Sequence, residues 1–232
     1  TNMPTKLIAH RGASHIAPEN TFAAINKAFA SNISGVEIDI HLTKDNYLAV
    51  VHDNNLSRLA GVDINVEDSL WNEIKDLDVG SWKDPIFKGE KIPLLHEVLE
   101  LLPNNFKLFI EIKSSTPQII TELKKTFQNF PHKKSQLVVI SFNWDLLDEF
   151  KKLNCNIDCM YILEEKDLNK IFSDSSDNLY DRAKNNFISG FDFELSHSIN
   201  EEFINKLKNL NFKTVLWCYG RNDNLENYLK YR

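Results

Sequence analysis

The sequence predicts an α/β protein built around a parallel sheet or barrel, and three observations lead to this prediction. Short runs rich in aliphatic and β-branched residues alternate with amphipathic segments along the 232 residues. Several of the runs are apolar almost throughout, as in Leu137–Ile140, which is typical of strands covered on both faces. The amphipathic segments are long enough to connect successive parallel strands, so the pattern indicates repeated βα units.

The elements follow from this alternation. The runs predicted as strands are, in chain order, Lys6–Ala9, Val36–Leu42, Leu48–Val51, Lys107–Lys113, Leu137–Ser141, Cys159–Leu163, Phe187–Phe193 and Lys213–Tyr219. The segments predicted as helices are Thr21–Ser31, Leu94–Leu102, Pro117–Phe130, Trp144–Leu153, Ile199–Leu210 and Asn224–Tyr231. In the fifth of these helices the apolar residues Ile199, Phe203 and Leu207 recur at helical spacing.

The second and third strands are joined in a different way. Only residues 43–47 separate them, which is too short for a parallel crossover, so a hairpin is predicted. With a turn centred on Asp45 and Asn46, Asp39 faces His52 across this hairpin. The next segment, about 53–93, shows no βα pattern and is predicted as an inserted lid over one end of the sheet. The polar stretch 174–186 is predicted as a surface loop.

Composition excludes several classes of protein. With 27 Lys and Arg against 33 Asp and Glu, the net charge of −6 counts against nucleic-acid binding. No apolar stretch approaches the roughly 20 residues of a membrane-spanning helix, and the N-terminus lacks a signal-peptide core. The three cysteines do not form a disulfide pattern, so a cytoplasmic location is expected. Residues 1–232 are expected to form one domain, and the sequence does not indicate an oligomeric state.

Ionisable and polar residues lie inside these apolar strands or directly after them, where they are costly unless paired or bound to a metal. Because side chains alternate along a strand, Glu37 and Asp39 share one face of the second strand. Glu111 and Lys113 share one face of a later strand in the same way. The whole set, in chain order, is His10, Arg11, Glu37, Asp39, His52, Asp53, Glu111, Lys113 and Trp217. Packing alone does not explain so many such positions.

These residue types are suited to cleaving a phosphodiester. The carboxylates of Glu37, Asp39 and Glu111 suit one hard divalent cation, Mg²⁺ or Ca²⁺, and the sequence does not choose between them. Two histidines, His10 and His52, suit proton transfer near neutral pH, although their order does not tell which is the acid and which the base.

Two cationic residues complete the set. Arg11 and Lys113 can neutralise the charge of a phosphate group, and an Arg side chain can do so with two parallel hydrogen bonds. A metal site, two histidines and two cations around one point fit the stabilisation of a phosphoryl transition state.

The chain resembles the glycerophosphodiester phosphodiesterase family through five motifs in a fixed order. These motifs are His10-Arg11-Gly12, Pro18-Glu19-Asn20-Thr21, Glu37-Ile38-Asp39, His52-Asp53 and Glu111-Ile112-Lys113. The resemblance runs from about Leu7 to Trp217. It implies a TIM (β/α)8-type barrel with a small insertion after the second-strand hairpin. The site would then lie at the carboxyl ends of the strands.

The resemblance also implies roles and a reaction. By motif match, the metal ligands are Glu37, Asp39 and Glu111, the acid–base pair is His10 and His52, and the substrate-binding residues are Arg11, Lys113 and Trp217. The implied reaction splits a glycerophosphodiester into sn-glycerol 3-phosphate and an alcohol, as part of lipid and glycerol metabolism. The neighbouring glycerol hydroxyl would be the nucleophile, which exploits its proximity to the phosphorus.

The chain departs from the family pattern in two places. Residues 217–220 read Trp-Cys-Tyr-Gly where the family has Trp-Thr-Val-Asn. The chain also stops at Arg232, before the last barrel strand of the family. Either the C-terminus is missing from this sequence or the barrel closes differently, and we expect the former.

Two alternative functions stay open. A lysophospholipase D-type activity on acylated substrates needs an apolar surface, which Trp82, Ile86 and Phe87 could begin, but charged residues stand beside them. A non-catalytic glycerophosphodiester-binding protein would be expected to lose a histidine or a carboxylate, and this chain keeps them all.

Structural roles are assigned to two further features. The Pro18–Thr21 segment is predicted to start a helix, with Asn20 or Thr21 as the N-cap and Glu19 or Asn20 bracing the site. His41 shares a face with Glu37 and Asp39 but is predicted to be a surface residue of the hairpin.

Overall fold

The structure is a computed structural model, and it describes residues 6–154, 156–174, 176, 178–194 and 198–217. The strands are β1 (Ile8–His10), β2 (Gly35–Leu42), β3 (Leu48–Val50), β4 (Lys107–Ile112), β5 (Leu137–Ser141), β6 (Asp158–Leu163), β7 (Gly190–Glu194) and β8 (Lys213–Trp217). The helices are α1 (Phe22–Phe29), α2 (Ser57–Ala60), α3 (Trp71–Ile74), α4 (Leu95–Leu101), α5 (Gln118–Gln128), α6 (Trp144–Leu153), α7 (Leu179–Asn185) and α8 (Glu201–Asn209). Short 3₁₀ helices cover Val66–Asp68, Pro85–Phe87, Pro131–Gln136 and Glu165–Lys170.

All eight predicted strands are present, as are the five predicted helices that fall on described residues. The predicted helix Asn224–Tyr231 and the question of a further strand lie outside the described residues. Among the described residues, no helix has both the length and the apolar character needed to cross a bilayer. The described residues form two compact units, one made of Lys6–Val139 and the other of the described residues between Ile140 and Trp217. The prediction that residues 1–232 form one domain stays a prediction.

The first unit is built on parallel strands with one antiparallel hairpin. Strand β2 lies between β1 and β4, parallel to both, and pairs at one end with β3 in the antiparallel sense. All eight residues of β2 are buried. The register places Asp39 of β2 directly beside Glu111 of β4, although 71 residues separate them in the sequence. The sheet therefore brings two acidic motifs together in the interior.

The predicted hairpin is correct, but its predicted register is wrong by one residue. His41 pairs with Ala49 and Ile40 with Val50, so the residue opposite Asp39 is Val51 and not His52. The cause lies in the turn, because Thr43 and Tyr47 close a three-residue loop in place of the expected two-residue turn. Asn46 takes the left-handed conformation (φ 69°) that such loops require.

The segment after the hairpin, residues 53–93, has a small apolar core of its own. This core contains the buried residues Ala49, Val51, Leu56, Leu59, Val66, Ile74, Val79 and Ile92. Because Ala49 and Val51 belong to the hairpin, the segment packs directly on β3 and its extension. Helices α2 and α3 have only four residues each, too few for a helical period to be read from sequence. Whether this segment acts as a lid stays a prediction.

The second unit contains β6, β7 and β8, side by side and parallel. The rings of Phe191 and Phe193 on β7 lie 5.9 Å apart and contact further aromatic rings, including Phe203 of α8. Asp192 lies between them in sequence and therefore points to the opposite face of the strand. It is buried, with a relative exposure of 6%.

One predicted loop is in fact helical. The stretch 174–186 was expected to be a surface loop, but α7 occupies Leu179–Asn185. Asn178 caps this helix by accepting a hydrogen bond from the Asp181 backbone N–H. Only Leu179 and Ala183, four residues apart, are buried. Two apolar positions in a polar sequence are too few to give a clear helical period, so only packing reveals the helix.

Candidate active site

Three carboxylates form the centre of the candidate site. One oxygen from each of Glu37, Asp39 and Glu111 lies within 4.8 Å of the others, and all three residues are buried. The first two follow from period-two alternation on β2, and the third from the β2–β4 register. Among the described residues, Glu37 Oε1 and Asp39 Oδ1 have no hydrogen-bond partner. Buried carboxylate oxygens without a donor are the ligands that a hard cation prefers.

The electrostatics of this cluster also favour a cation. Burial raises the pKa of Glu37 well above its usual value, and the neighbouring acids add to the shift. Burial, followed by the charge of Asp39, raises the pKa of Glu111 to about 8. Burial would raise the pKa of Asp39 as well, but its hydrogen bond with Glu111 and the charge of Arg11 outweigh burial and lower it. The pKa values of Glu37 and Glu111 are raised despite the nearby charges of Arg11 and Lys113, so a further positive charge would favour the fully ionised cluster.

The residues after β1 wrap around the edge of this cluster. The backbone N–H of Arg11 donates to Glu37 Oε2 at 3.1 Å, and the Arg11 Nε atom lies 3.4 Å from Asp39 Oδ2. His10 is exposed, and its Nε2 atom lies 3.7 Å from Glu37 Oε2. Gly12 has φ of 76°, and a Cβ on it would meet the Ala24 backbone at 2.7 Å. This close approach to α1 explains why a glycine follows the His-Arg pair.

The Pro18–Thr21 segment starts α1, as predicted, with Thr21 as the N-cap. Asn20 is buried in the left-handed conformation (φ 58°) and holds Asp39 from two sides. Its Nδ2 atom donates to Asp39 Oδ2 at 3.0 Å, and its Oδ1 atom accepts from the Asp39 backbone N–H at 3.2 Å. This segment therefore caps a helix and also fixes one carboxylate of the cluster.

His52 lies at the end of the hairpin with its ring oriented by a neighbouring acid. Its Nδ1 atom is 2.7 Å from Asp53 Oδ1. With Asp53 as the acceptor, Nδ1 carries the proton, which leaves Nε2 to exchange a proton with a substrate. The Arg58 hydrogen bond lowers the pKa of Asp53 to about 2 despite its partial burial, so this carboxylate stays ionised near neutral pH.

Two predicted residues remain, Lys113 in the first unit and Trp217 in the second. Lys113 follows β4, and its Nζ atom lies 3.0 Å from Glu111 Oε1, next to the carboxylate cluster. Trp217 ends β8 in the other unit, where its ring contacts Phe142 edge to face with 6.1 Å between the ring centroids. Its predicted contact with substrate stays a prediction. The departure from the family pattern after Trp217 lies outside the described residues.

The prediction for His41 is wrong. This residue is buried, with 4% exposure, and its Nε2 atom lies 2.8 Å from the His52 carbonyl oxygen. Its position on the face of β2 that carries Glu37 and Asp39 was the signal for this burial.

The inserted segment resembles the family at Ser57-Arg58 as well, but the sequence assigned no role to Arg58. In the structure Arg58 contacts both Asp53 and Glu19. These contacts depend on how the inserted segment packs, so the motif alone does not indicate them.

A model of the glycerophosphoryl diester phosphodiesterase family matches residues 10–232. The chain belongs to this family. A curated member from Caldanaerobacter subterraneus, named glycerophosphodiester phosphodiesterase, is 39% identical over 155 residues, covering 65% of this chain and 63% of that protein. The chain thus spans somewhat less than two thirds of the length of this relative.

Solved structures in the family share the fold. The chain matches a phosphodiesterase from Oleispira antarctica with a TM-score of 0.78 and 28% identity, over 97% of this chain and 90% of the other. That protein was solved in complex with its product sn-glycerol-3-phosphate. A glycerophosphodiester phosphodiesterase from Thermotoga maritima matches with a TM-score of 0.73 and 24% identity, over 99% and 93% of the two chains. These structures are TIM barrels, so the predicted fold class is confirmed.

Proposed function

We propose that this protein hydrolyses glycerophosphodiesters to sn-glycerol 3-phosphate and an alcohol. The observation that carries the proposal is the buried group Glu37, Asp39 and Glu111, with His10 and Arg11 beside it. Membership of the family supports it, as does the product bound to the Oleispira relative.

One divalent cation would be held by Glu37, Asp39 and Glu111. The fit is supported by the unpartnered oxygens of Glu37 and Asp39 among the described residues, and by the cost of ionising three adjacent acids. When bound, Mg²⁺ or Ca²⁺ supplies neutralisation of charge on the phosphoryl oxygens. The donor set is all carboxylate, which both ions accept, so the choice of metal is left to experiment.

The protein's own residues bind the phosphate and move protons. Arg11 and Lys113 place positive charge beside the carboxylates, where a phosphate bound to this cluster would lie. His10 and His52 are the acid–base pair. One accepts the proton of the glycerol hydroxyl next to the phosphodiester, and the other donates a proton to the leaving alcohol oxygen.

The proposed reaction has two steps. The glycerol hydroxyl oxygen forms a bond to phosphorus while the bond from phosphorus to the alcohol oxygen breaks, which gives a cyclic phosphate. Water then adds to phosphorus and gives up a proton, while the ring P–O bond formed in the first step breaks and its glycerol oxygen takes a proton. This gives sn-glycerol 3-phosphate, and the two histidines return to their starting protonation states. The internal nucleophile avoids the entropic cost of bringing in a second molecule for the first step.

The test is release of sn-glycerol 3-phosphate from glycerophosphocholine and glycerophosphoethanolamine. The assay is run with EDTA, with Mg²⁺ and with Ca²⁺, on wild type, His52→Gln and Asp39→Asn. The matched control is His96→Gln, because His96 is an exposed histidine on α4 that belongs to none of the motifs. We expect metal-dependent release by wild type and by His96→Gln. The His52→Gln variant should lose about 100-fold or more in rate, the usual contribution of a general acid or base.

A second measurement tests the metal site without activity. We expect Mg²⁺ or Ca²⁺ to raise the melting temperature of wild type, because a ligand that binds only the folded state stabilises it. Asp39→Asn should lose this rise. If neither diester is cleaved by the folded, metal-loaded protein, hydrolysis of soluble glycerophosphodiesters is refuted. Cleavage of acylated lysophospholipids alone would instead support the lysophospholipase D alternative, and binding without turnover would support a binding protein.

A further inference from the structure

Arg58 lies at the junction between the inserted segment and the candidate site. Its guanidinium group binds two carboxylates at once. Nε donates to Asp53 Oδ2 at 2.8 Å, and Nη2 donates to Asp53 Oδ1 at 3.1 Å. The same Nη2 atom donates to Glu19 Oε1 at 2.5 Å, and Nη1 donates to Glu19 Oε2 at 3.3 Å. Both contacts are bidentate, a geometry that fixes orientation as well as distance.

Each of these carboxylates holds a residue proposed to act on the substrate. Asp53 lies against Nδ1 of His52 at 2.7 Å. Glu19, whose side chain is only 9% exposed, accepts a hydrogen bond from Arg11 Nη1 at 3.2 Å. Arg58 therefore connects to the acid–base histidine through one acid and to the phosphate-binding arginine through the other.

The inserted segment holds the backbone of Arg58 in place. Arg58 belongs to α2, and its neighbour Leu59 is buried in the core of the segment. The guanidinium carbon lies 5.4 Å from the centroid of the Trp82 ring, also in the segment. Lys83 donates to the Ser14 carbonyl oxygen at 2.9 Å, so the segment also contacts the loop after β1.

We propose that Arg58 is a positioning residue, which orients His52 through Asp53 and Arg11 through Glu19. The proposal rests on the proposed function, because these two groups act only if the phosphodiesterase reaction takes place. On this account the inserted segment is part of the support of the site, since its small core anchors the arginine. The contacts also explain why Glu19 and Asp53 stand in the motifs although neither belongs to the carboxylate cluster.

The test compares Arg58→Ala with Arg58→Lys and with a matched control, Arg182→Ala. Arg182 in the other unit has a similar environment, because it binds Asp148 through two nitrogens, contacts Asp145 and lies 5.8 Å from the Trp144 ring centroid. We measure kcat and KM for glycerophosphocholine and the melting temperature of each variant. Each assay is repeated with 50 mM guanidinium chloride, a concentration well below that used for unfolding.

We expect Arg58→Ala to lose about 10- to 100-fold in kcat, the size of effect seen when an outer partner of a functional group is removed. Guanidinium should restore part of the loss, because it can occupy the space between Asp53 and Glu19. Arg58→Lys should fall between wild type and Arg58→Ala, since an ammonium group cannot make two bidentate contacts. Arg182→Ala should lower the melting temperature without a loss of kcat and without rescue.

Substituting each acid in turn should separate the effect of Arg58 on His52 from its effect on Arg11. Asp53→Asn should act mainly on kcat, because His52 acts in proton transfer, whereas Glu19→Gln should act mainly on KM, because Arg11 binds the phosphate in the ground state. Adding Arg58→Ala to either variant should reduce activity by a smaller factor than Arg58→Ala does in wild type, because the effects of substitutions at linked residues are not additive.

Specific outcomes overturn the proposal. If wild type is active and Arg58→Ala has unchanged kcat and KM, the proposal that Arg58 positions His52 and Arg11 is refuted. A loss that guanidinium does not rescue, matched by a loss of the same size in Arg182→Ala, would assign Arg58 a purely structural role. If wild type releases no sn-glycerol 3-phosphate, the proposed function is refuted and this inference with it. That result differs from the other two, in which wild type is active.

Discussion

Replacement of Asp192 by asparagine should stabilise the protein, and the gain should depend on pH. Asp192 lies in β7 between Ile162 of β6 and Val215 of β8. Among the described residues, no hydrogen-bond donor reaches its buried Oδ1 atom. Burial raises the pKa of Asp192 to about 7, so the folded protein holds a proton on this carboxyl where the unfolded chain does not.

The pH dependence of stability follows from the difference in proton binding between the folded and unfolded states. In the unfolded chain an Asp side chain has a pKa of about 3.9. Between about pH 4 and pH 7 the folded state binds one more proton than the unfolded state, so stability falls as the pH rises. Each pH unit costs about 1.4 kcal/mol, so the ionisation of Asp192 lowers the free energy of unfolding by about 4 kcal/mol above pH 7, and this pH-dependent cost disappears near pH 3. Asparagine has nearly the same shape and does not titrate, so it should remove this cost.

The assay is urea unfolding of wild type and Asp192→Asn at pH 4, 5, 6, 7 and 8. We expect the two free energies of unfolding to differ little at pH 4, and the variant to be the more stable by a growing margin up to pH 7. The control is Asp148→Asn, a buried acid that accepts hydrogen bonds from Tyr161 and Arg182, which should destabilise the protein. A difference between wild type and Asp192→Asn that does not change with pH would refute the reasoning.

Three further predictions concern the loop and helix beside the site. Asn20→Ala removes both hydrogen bonds to Asp39, so the affinity for Mg²⁺ or Ca²⁺ should fall about 10- to 100-fold in isothermal titration while the far-UV circular dichroism stays unchanged. Thr21→Ala removes the N-cap contact to the Ala24 N–H, and should lower the free energy of unfolding by about 1 kcal/mol in urea titration; Thr21→Ser, which keeps the hydroxyl, should not. Gly12→Ala places a Cβ 2.7 Å from the Ala24 backbone at a φ of 76°, and should destabilise by at least about 1 kcal/mol; an unchanged melting temperature would contradict this close approach.

The fold was predictable because its signals are local. Strands such as Leu137–Ser141 are continuous apolar runs, and helices such as Trp144–Leu153 carry both an amphipathic period and an Asn residue that caps them. Helix α7 was missed because only two of its residues are buried. The hairpin register was missed because it depends on the left-handed conformation of Asn46, and the sequence permits that conformation without requiring it.

The carboxylate cluster was predictable in part. Alternation along β2 alone places Glu37 and Asp39 on one face, whereas the pairing of Glu111 with Asp39 requires the register between β2 and β4. The position of Glu111 inside an apolar strand already makes it the third ligand candidate, and the family resemblance implies the same role. The resemblance did not reveal the contacts of Arg58, because they depend on how the inserted segment packs.

The order of the βα units, the motifs and the face on which each strand residue lies can be read from the sequence, because they depend on chemical identity and short-range periodicity. Contacts between distant residues become visible only in the folded chain: Asp39 with Glu111, Asn20 with Asp39, and Arg58 with Glu19. Such contacts depend on how whole elements pack against one another. A local pattern shows which side chains an element carries on each face. Only packing shows which residues those side chains contact.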